Sequence, residues 1–145
     1  MLKISVQRAT RQFNAPTAVQ LRAWARQILT AKHITDAELT LRIVNSKEMT
    51  ALNSTYRHKQ GPTNVLSFPG DENYLGDIVI CAEVVTQEAN AQHKTLDAHW
   101  AHMVIHGVLH LLGHDHVKDD EANAMEAIEI KTLRALGFDN PYDTR

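Results

Sequence analysis

Cysteine is nearly absent from this chain of 145 residues: Cys81 is the only one. An internal disulfide framework is therefore excluded, and the composition fits a reducing compartment. Long apolar runs are missing as well. The opening MLKISVQRATRQF alternates apolar and polar residues and carries early charges, so it lacks the apolar stretch that a signal peptide needs. Nothing later approaches the length of a membrane span. There is also no internal repeat, low-complexity tract or Pro/Ser-rich linker. These absences predict one soluble, cytoplasmic domain over residues 1–145, large enough for a self-sufficient core and without a membrane partner. The Asn53-Ser54-Thr55 sequon is then a chance match.

Two features are over-represented. Histidine occurs nine times, and six of the nine fall between His99 and His116. Charge is divided along the chain: residues 1–60 hold ten Lys or Arg against three acids (+7), and residues 61–145 hold five against fourteen (−9). Such a division hints at a polyanion-facing surface. The two halves can equally interleave in the fold and cancel, so the asymmetry alone does not carry a function.

The coarse pattern is a mixture of strands and helices. Leu2–Val6 alternates like a half-buried strand. Asn14, Ala15 and Pro16 open a helix through about Ala31, with Ala18, Leu21, Ala25, Ile28 and Leu29 on its apolar face. Leu39–Val44 is a second strand, and Asn45 with Glu48 three residues on marks a short helix ending near Tyr56. Arg57 to Thr63 reads as an exposed loop. Val65–Phe68 and Leu75–Cys81 read as two further strands around the turn-rich Pro69–Asn73. An amphipathic stretch follows from Ala82 to about His93. Asp97–Leu112 is a helix that is apolar almost all round. Asp119 or Asp120 caps a last helix, with Ala122, Met125, Ile128, Leu133 and Leu136 inward and Gly137 as its stop. The expected fold is α/β (α+β): a small mixed sheet of about four strands, packed by about five helices.

The chemistry concentrates in His106-Gly107-Val108-Leu109-His110-Leu111-Leu112-Gly113-His114-Asp115-His116. His106 and His110 lie one helical turn apart on one face, so two imidazoles can share a metal ion. A third ligand cannot be the next helical position, because eight residues of helix span about 12 Å, whereas zinc–nitrogen bonds are about 2.0–2.1 Å. The chain must turn back, and Gly113 can end the helix in the left-handed conformation. The spacing is that of the metzincin zinc site, which nominates His116; His114, beside the glycine, has less reach. Three neutral ligands leave a fourth position open, as in catalytic zinc sites. Peptidases of this spacing carry Glu directly after the first His, as general base. Here that residue is Gly107, expected to be small because a backbone or substrate group approaches the metal there. Zinc-bound water still ionises near neutral pH, and the site then needs a cation for the reacting group. Arg57 and Lys59 precede a strand, and a guanidinium fork matches phosphate oxygens. Cys81 and Ser67 read as a buried filler and a mid-strand residue rather than nucleophiles. Asp115 is either a partner that orients a ligand imidazole or a turn residue.

Taken together, Tyr56-Arg57, Pro62-Thr63, Val65-Leu66-Ser67-Phe68-Pro69, Leu75–Ile80 and the His106–His116 stretch resemble the YbeY family of bacterial ribonucleases, over most of the chain. The resemblance implies a zinc-dependent, single-strand-preferring endoribonuclease. Its implied role is 3′-end maturation of small-subunit (16S) ribosomal RNA and late ribosome quality control. It implies His106, His110 and His116 as ligands of one zinc ion per chain and Arg57 as the functional arginine. Implied partners are single-stranded and ribosomal RNA, the small ribosomal subunit and its assembly factors, with no organic cofactor. Two positions depart from the family pattern: Asn64 stands where Asp is usual, and His114 where Tyr is frequent, which leaves an alternative metal ligand open. The competing readings are a zinc hydrolase of amide or ester bonds and a ribosome-assembly factor whose zinc is structural.

Overall fold

A computed structural model of the chain describes residues 1–11 and 14–143. Its sheet has four strands in the order β1-β2-β4-β3: β1 (Leu2–Arg8), β2 (Ala37–Val44), β3 (Val65–Asp71) and β4 (Tyr74–Cys81). β1, β2 and β4 run parallel, and β3 pairs antiparallel with β4 through a tight hairpin. Among the described residues five helices complete the single domain: α1 (Ala18–Ala31), α2 (Ser46–Arg57), α3 (Ala82–Ala91), α4 (Leu96–Leu111) and α5 (Asp119–Ala135). The α/β (α+β) architecture expected from the sequence, four strands and five helices, is the one observed. No helix among the described residues is long and apolar enough to cross a membrane.

Alternation along the strands sorts the core into two layers. Leu39, Leu41, Ile43, Ile78 and Ile80 join Leu21, Ile28 and Leu29 of α1 and Trp100, Ile105 and Leu109 of α4 in one large cluster. Val44, Leu66, Val79 and Cys81 pack with Met49 of α2 in a smaller one. Eleven of the sixteen residues of α4 are buried, which is why its sequence is apolar on nearly every side. A helix wedged this deeply is a rigid base for a site.

Several boundaries differ from the expected ones, each for a local reason. α1 begins after Thr17, not at Asn14–Pro16, because Thr17 and Gln20 form a reciprocal capping box. α5 is preceded by Lys118, which makes no side-chain cap; Asp119 and Asp120 lie inside the first turn, where they complement the helix dipole. α3 stops at Ala91, and His93 follows in a left-handed conformation (φ 55°). β3 continues through Pro69 to Asp71, which is tolerated because β3 is an edge strand with no ladder partner on its outer side. Asn53 of the sequon is 3% exposed and donates to the Gly61 carbonyl at 2.9 Å, so a glycan has no access to it.

Candidate metal centre

His106 and His110 come from the last two turns of α4, and both are half-buried. Their Nε2 atoms are 3.0 Å apart. Ligands bonded tetrahedrally at about 2.0 Å lie roughly 3.3 Å from one another, so the pair stands close to ligand spacing. Gly113, at φ +94°, ends α4: its N–H donates to the His110 carbonyl at 3.0 Å, and the His114 N–H donates to the Leu109 carbonyl at 3.0 Å. This pair of bonds is a Schellman motif, which only a residue at ease with positive φ completes without strain. The reversal brings the His116 ring to 5.5 Å from His106 and 4.9 Å from His110, centroid to centroid. One ligand nitrogen from each of the three rings lies within 4.8 Å of the others, a set able to hold a metal ion. His114 is not part of that set; it sits on the cleft wall, its pKa lowered by burial and then by Lys32.

One donor is held in the electronic state a metal requires. His110 is held down to about 4, first by burial and then by its neighbours His106 and His116, so its lone pair is free at neutral pH. Behind His106, the Glu129 carboxylate of α5 accepts from Nδ1 at 2.9 Å, which leaves Nε2 facing His110. Burial alone would push Glu129 up. Hydrogen bonds from His102 and His106, and then from Tyr142, instead hold it at about 2. Asp115 Oδ1 accepts from the His116 backbone N–H at 2.7 Å, the local bond of a turn residue.

These groups open onto a cleft of about 750 Å³ between α4 and β3. Arg57, last residue of α2, lines it, and His58 turns the chain away in a left-handed conformation (φ 56°). Arg57 Nη2 donates to the Ser67 carbonyl on the open edge of β3 at 3.1 Å. Lys59 is the other Lys or Arg lining the cleft among the described residues. Of the remaining basic residues of the first sixty, Lys32 acts on His114 at the cleft wall, while several others are engaged elsewhere. Arg22 bonds the Ile4 carbonyl at 2.9 Å, Arg8 the Pro16 carbonyl, and Arg42 pairs with Glu48 at 2.8 Å.

A model of the family "Endoribonuclease YbeY" matches residues 4–137. The chain belongs to the YbeY family. Two curated Endoribonuclease YbeY proteins, from the Dugway 5J108-111 and RSA 331 / Henzerling II strains of Coxiella burnetii, are each 47% identical to it over 153 aligned positions, covering 99% of both chains. The solution structure of TM1509 from Thermotoga maritima matches with a TM-score of 0.64 and 27% identity, covering 92% of this chain and 87% of that one. YbeY membership makes the chain an endoribonuclease, a hydrolase of RNA phosphodiester bonds, as the sequence led us to expect.

Gly107 requires a correction. It does not face the metal centre. A Cβ there would lie 2.6 Å from Ile78 Cγ2 on β4, and the Gly107 carbonyl accepts from Ser67 Oγ at 2.9 Å. The residue is small because the helix rests directly on the sheet. Gly107→Ala raises intrinsic helix propensity by about 1 kcal/mol, but overpacking should cost about 1–3 kcal/mol. We expect a net fall in the thermal unfolding midpoint; an unchanged or raised midpoint would contradict the close-packing account. A glutamate there would be driven into Ile78, so this YbeY scaffold has no room for the peptidase base.

The Asn64 departure has a local rationale. Its Nδ2 donates to Glu88 at 3.1 Å, and Glu88 also pairs with buried His99 at 2.9 Å. An aspartate at 64 would set two carboxylates against each other. Sequence reasoning missed Glu129, His102 and Tyr142 as parts of the centre. The one available signal was Glu129 itself, an acid on the inward stripe of α5 four residues after Met125.

Proposed function

We propose that residues 1–145 act as one zinc-dependent endoribonuclease domain that prefers single-stranded RNA. One zinc ion per chain is held by His106, His110 and His116. We place its work in the 3′-end maturation of 16S ribosomal RNA and in late quality control of the small subunit, alongside that subunit and its assembly factors in the cytoplasm. The observation that carries this reading is the shared cleft: three imidazoles converge on one point, and Arg57 lines the same cleft.

A zinc ion bound there supplies Lewis acidity at a phosphoryl oxygen and lowers the pKa of water toward neutrality. The chain's own residues do the rest. Arg57 is exposed and spends one donor on Ser67, so its other N–H groups can grip non-bridging phosphate oxygens and offset charge that grows in the transition state. Lys59 adds a second positive charge for the neighbouring phosphate. The half-exposed rings of His106 and His110 form the floor against which the scissile linkage rests.

Elemental analysis of purified protein should give close to one zinc per chain. Cleavage of a single-stranded oligoribonucleotide and of small subunits carrying 3′-extended RNA should stop on chelation and return with zinc. Equal cleavage with and without chelator would overturn the metal-dependent reading. Activity on the oligonucleotide but not on the extended subunits would overturn the ribosomal assignment.

A further inference from the structure

We propose that Glu129 is a positioning residue for the metal centre: its buried carboxylate fixes the tautomer and orientation of His106, and Tyr142 holds that carboxylate from the C-terminal side. The inference rests on the reading of His106, His110 and His116 as the ligand set.

Three donors converge on this one carboxylate. Oε2 accepts from His106 Nδ1 at 2.9 Å and from His102 Nε2 at 3.0 Å, while Oε1 accepts from the Tyr142 hydroxyl. Glu129 is 1% exposed, so water cannot supply those bonds instead. With Nδ1–H committed to Glu129, the His106 lone pair must reside on Nε2, the atom that faces His110. A carboxylate behind a metal-bound imidazole makes the ring a stronger donor. It also offsets part of the charge that a divalent ion brings to three neutral ligands. Tyr142 stacks edge-on against His102 at 5.4 Å, so the end of the described chain is fastened to the back of the site.

The same three atoms of His102, His106 and Glu129 also form a set of metal-ligand type. Hydrogen bonding accounts for them better. Both nitrogens sit at hydrogen-bond distance from a single oxygen, the other oxygen is taken by Tyr142, and the side chains of His102 and Glu129 are 8% and 1% exposed. An ion there would have no open position and no path in.

The test is metal affinity by chelator competition on the full chain, together with the visible spectrum of the cobalt-loaded form. Glu129→Gln keeps the shape and one acceptor but loses the charge, and should weaken binding by about 10–100-fold and shift the cobalt bands. Tyr142→Phe keeps the ring but removes the donor to Glu129 Oε1, so the metal-free melting midpoint should fall modestly, and the cobalt spectrum, which a purely structural role would not move, is the deciding readout. This variant should weaken binding by a smaller factor in the same direction. Unchanged affinity and spectrum in both variants, with wild-type protein binding its ion, would overturn this inference alone. Loss of the ion in His102→Gln with retention in His110→Ala would make the inner cluster the metal site and overturn the ligand reading too. A wild-type chain that binds no ion would do the same.

Discussion

His110→Ala should yield a folded protein that holds no metal. Two imidazoles remain in that variant, and two neutral nitrogens do not make a tetrahedral site. His110 stands between its partners, with ring centroids 4.6 Å from His106 and 4.9 Å from His116, so no remaining side chain fills its corner. The fold should survive because the ring is half-exposed at the end of α4 and lies outside both apolar clusters. Its low pKa, about 4, also means that no charged pair is broken at neutral pH. We expect elemental analysis to fall from one zinc per chain to background, with a stability change within about 1 kcal/mol of the metal-free wild type. His114→Ala should keep its zinc. Loss of metal in His114→Ala with retention in His116→Ala would move the third ligand to His114. Unfolding of His110→Ala, or of the wild type on chelation, would mean that the ion is structural.

Arg57→Glu should abolish RNA cleavage without disturbing zinc content or melting. The guanidinium makes one hydrogen bond to a backbone carbonyl, and its removal leaves no buried charge unpaired. Reversing the charge in the cleft, however, sets a carboxylate against every phosphate that enters it. Arg57→Lys retains the charge but not the planar fork, so it should lower kcat more than it raises KM. Removing one phosphate-binding cation should also flatten the salt dependence of RNA binding by about 0.7 in the log–log slope for a single strand. With Arg57 and Lys59 as the two cleft cations, the whole slope should be shallow. Wild-type cleavage by Arg57→Glu would remove Arg57 from the mechanism, and loss of zinc or fold would make it a structural residue.

The parts that could be read in advance are those where a short local pattern has a physical meaning of its own. The His106/His110 pair at one helical turn, the need for a reversal and the glycine able to supply it are all contained in eleven consecutive residues, and the structure brings His116 rather than His114 to the pair. The strands of the sheet were likewise visible, Leu2–Val6 as alternation, although β3 runs on to Asp71 into the segment read as a turn. What was not legible depends on packing between distant segments. Glu129 is 23 residues beyond His106 and joins it only because α5 packs along α4. The reason for Gly107 lies in Ile78, on a strand that precedes it by 29 positions. Helix starts were missed where two caps competed: Asn14-Ala15-Pro16 carried a plausible signal, but Thr17 with Gln20 satisfies two backbone groups at once. The charge division was real in sequence and largely dissolved in space, because several arginines end their reach on carbonyls or on Glu48.

The turn after Gly113 also divides the cost of metal capture unequally. His106 and His110 are ordered by the packing of α4 before any ion arrives, whereas residues 115–121 are exposed throughout and carry His116. Fixing backbone in one conformation costs about 1–2 kcal/mol per residue in lost conformational entropy, and that loss falls on this short stretch. On the proposed ligand set, a substitution that stiffens residues 114–118 in the conformation seen here lowers that loss and should tighten metal binding. The gain would come without any change to the three nitrogens.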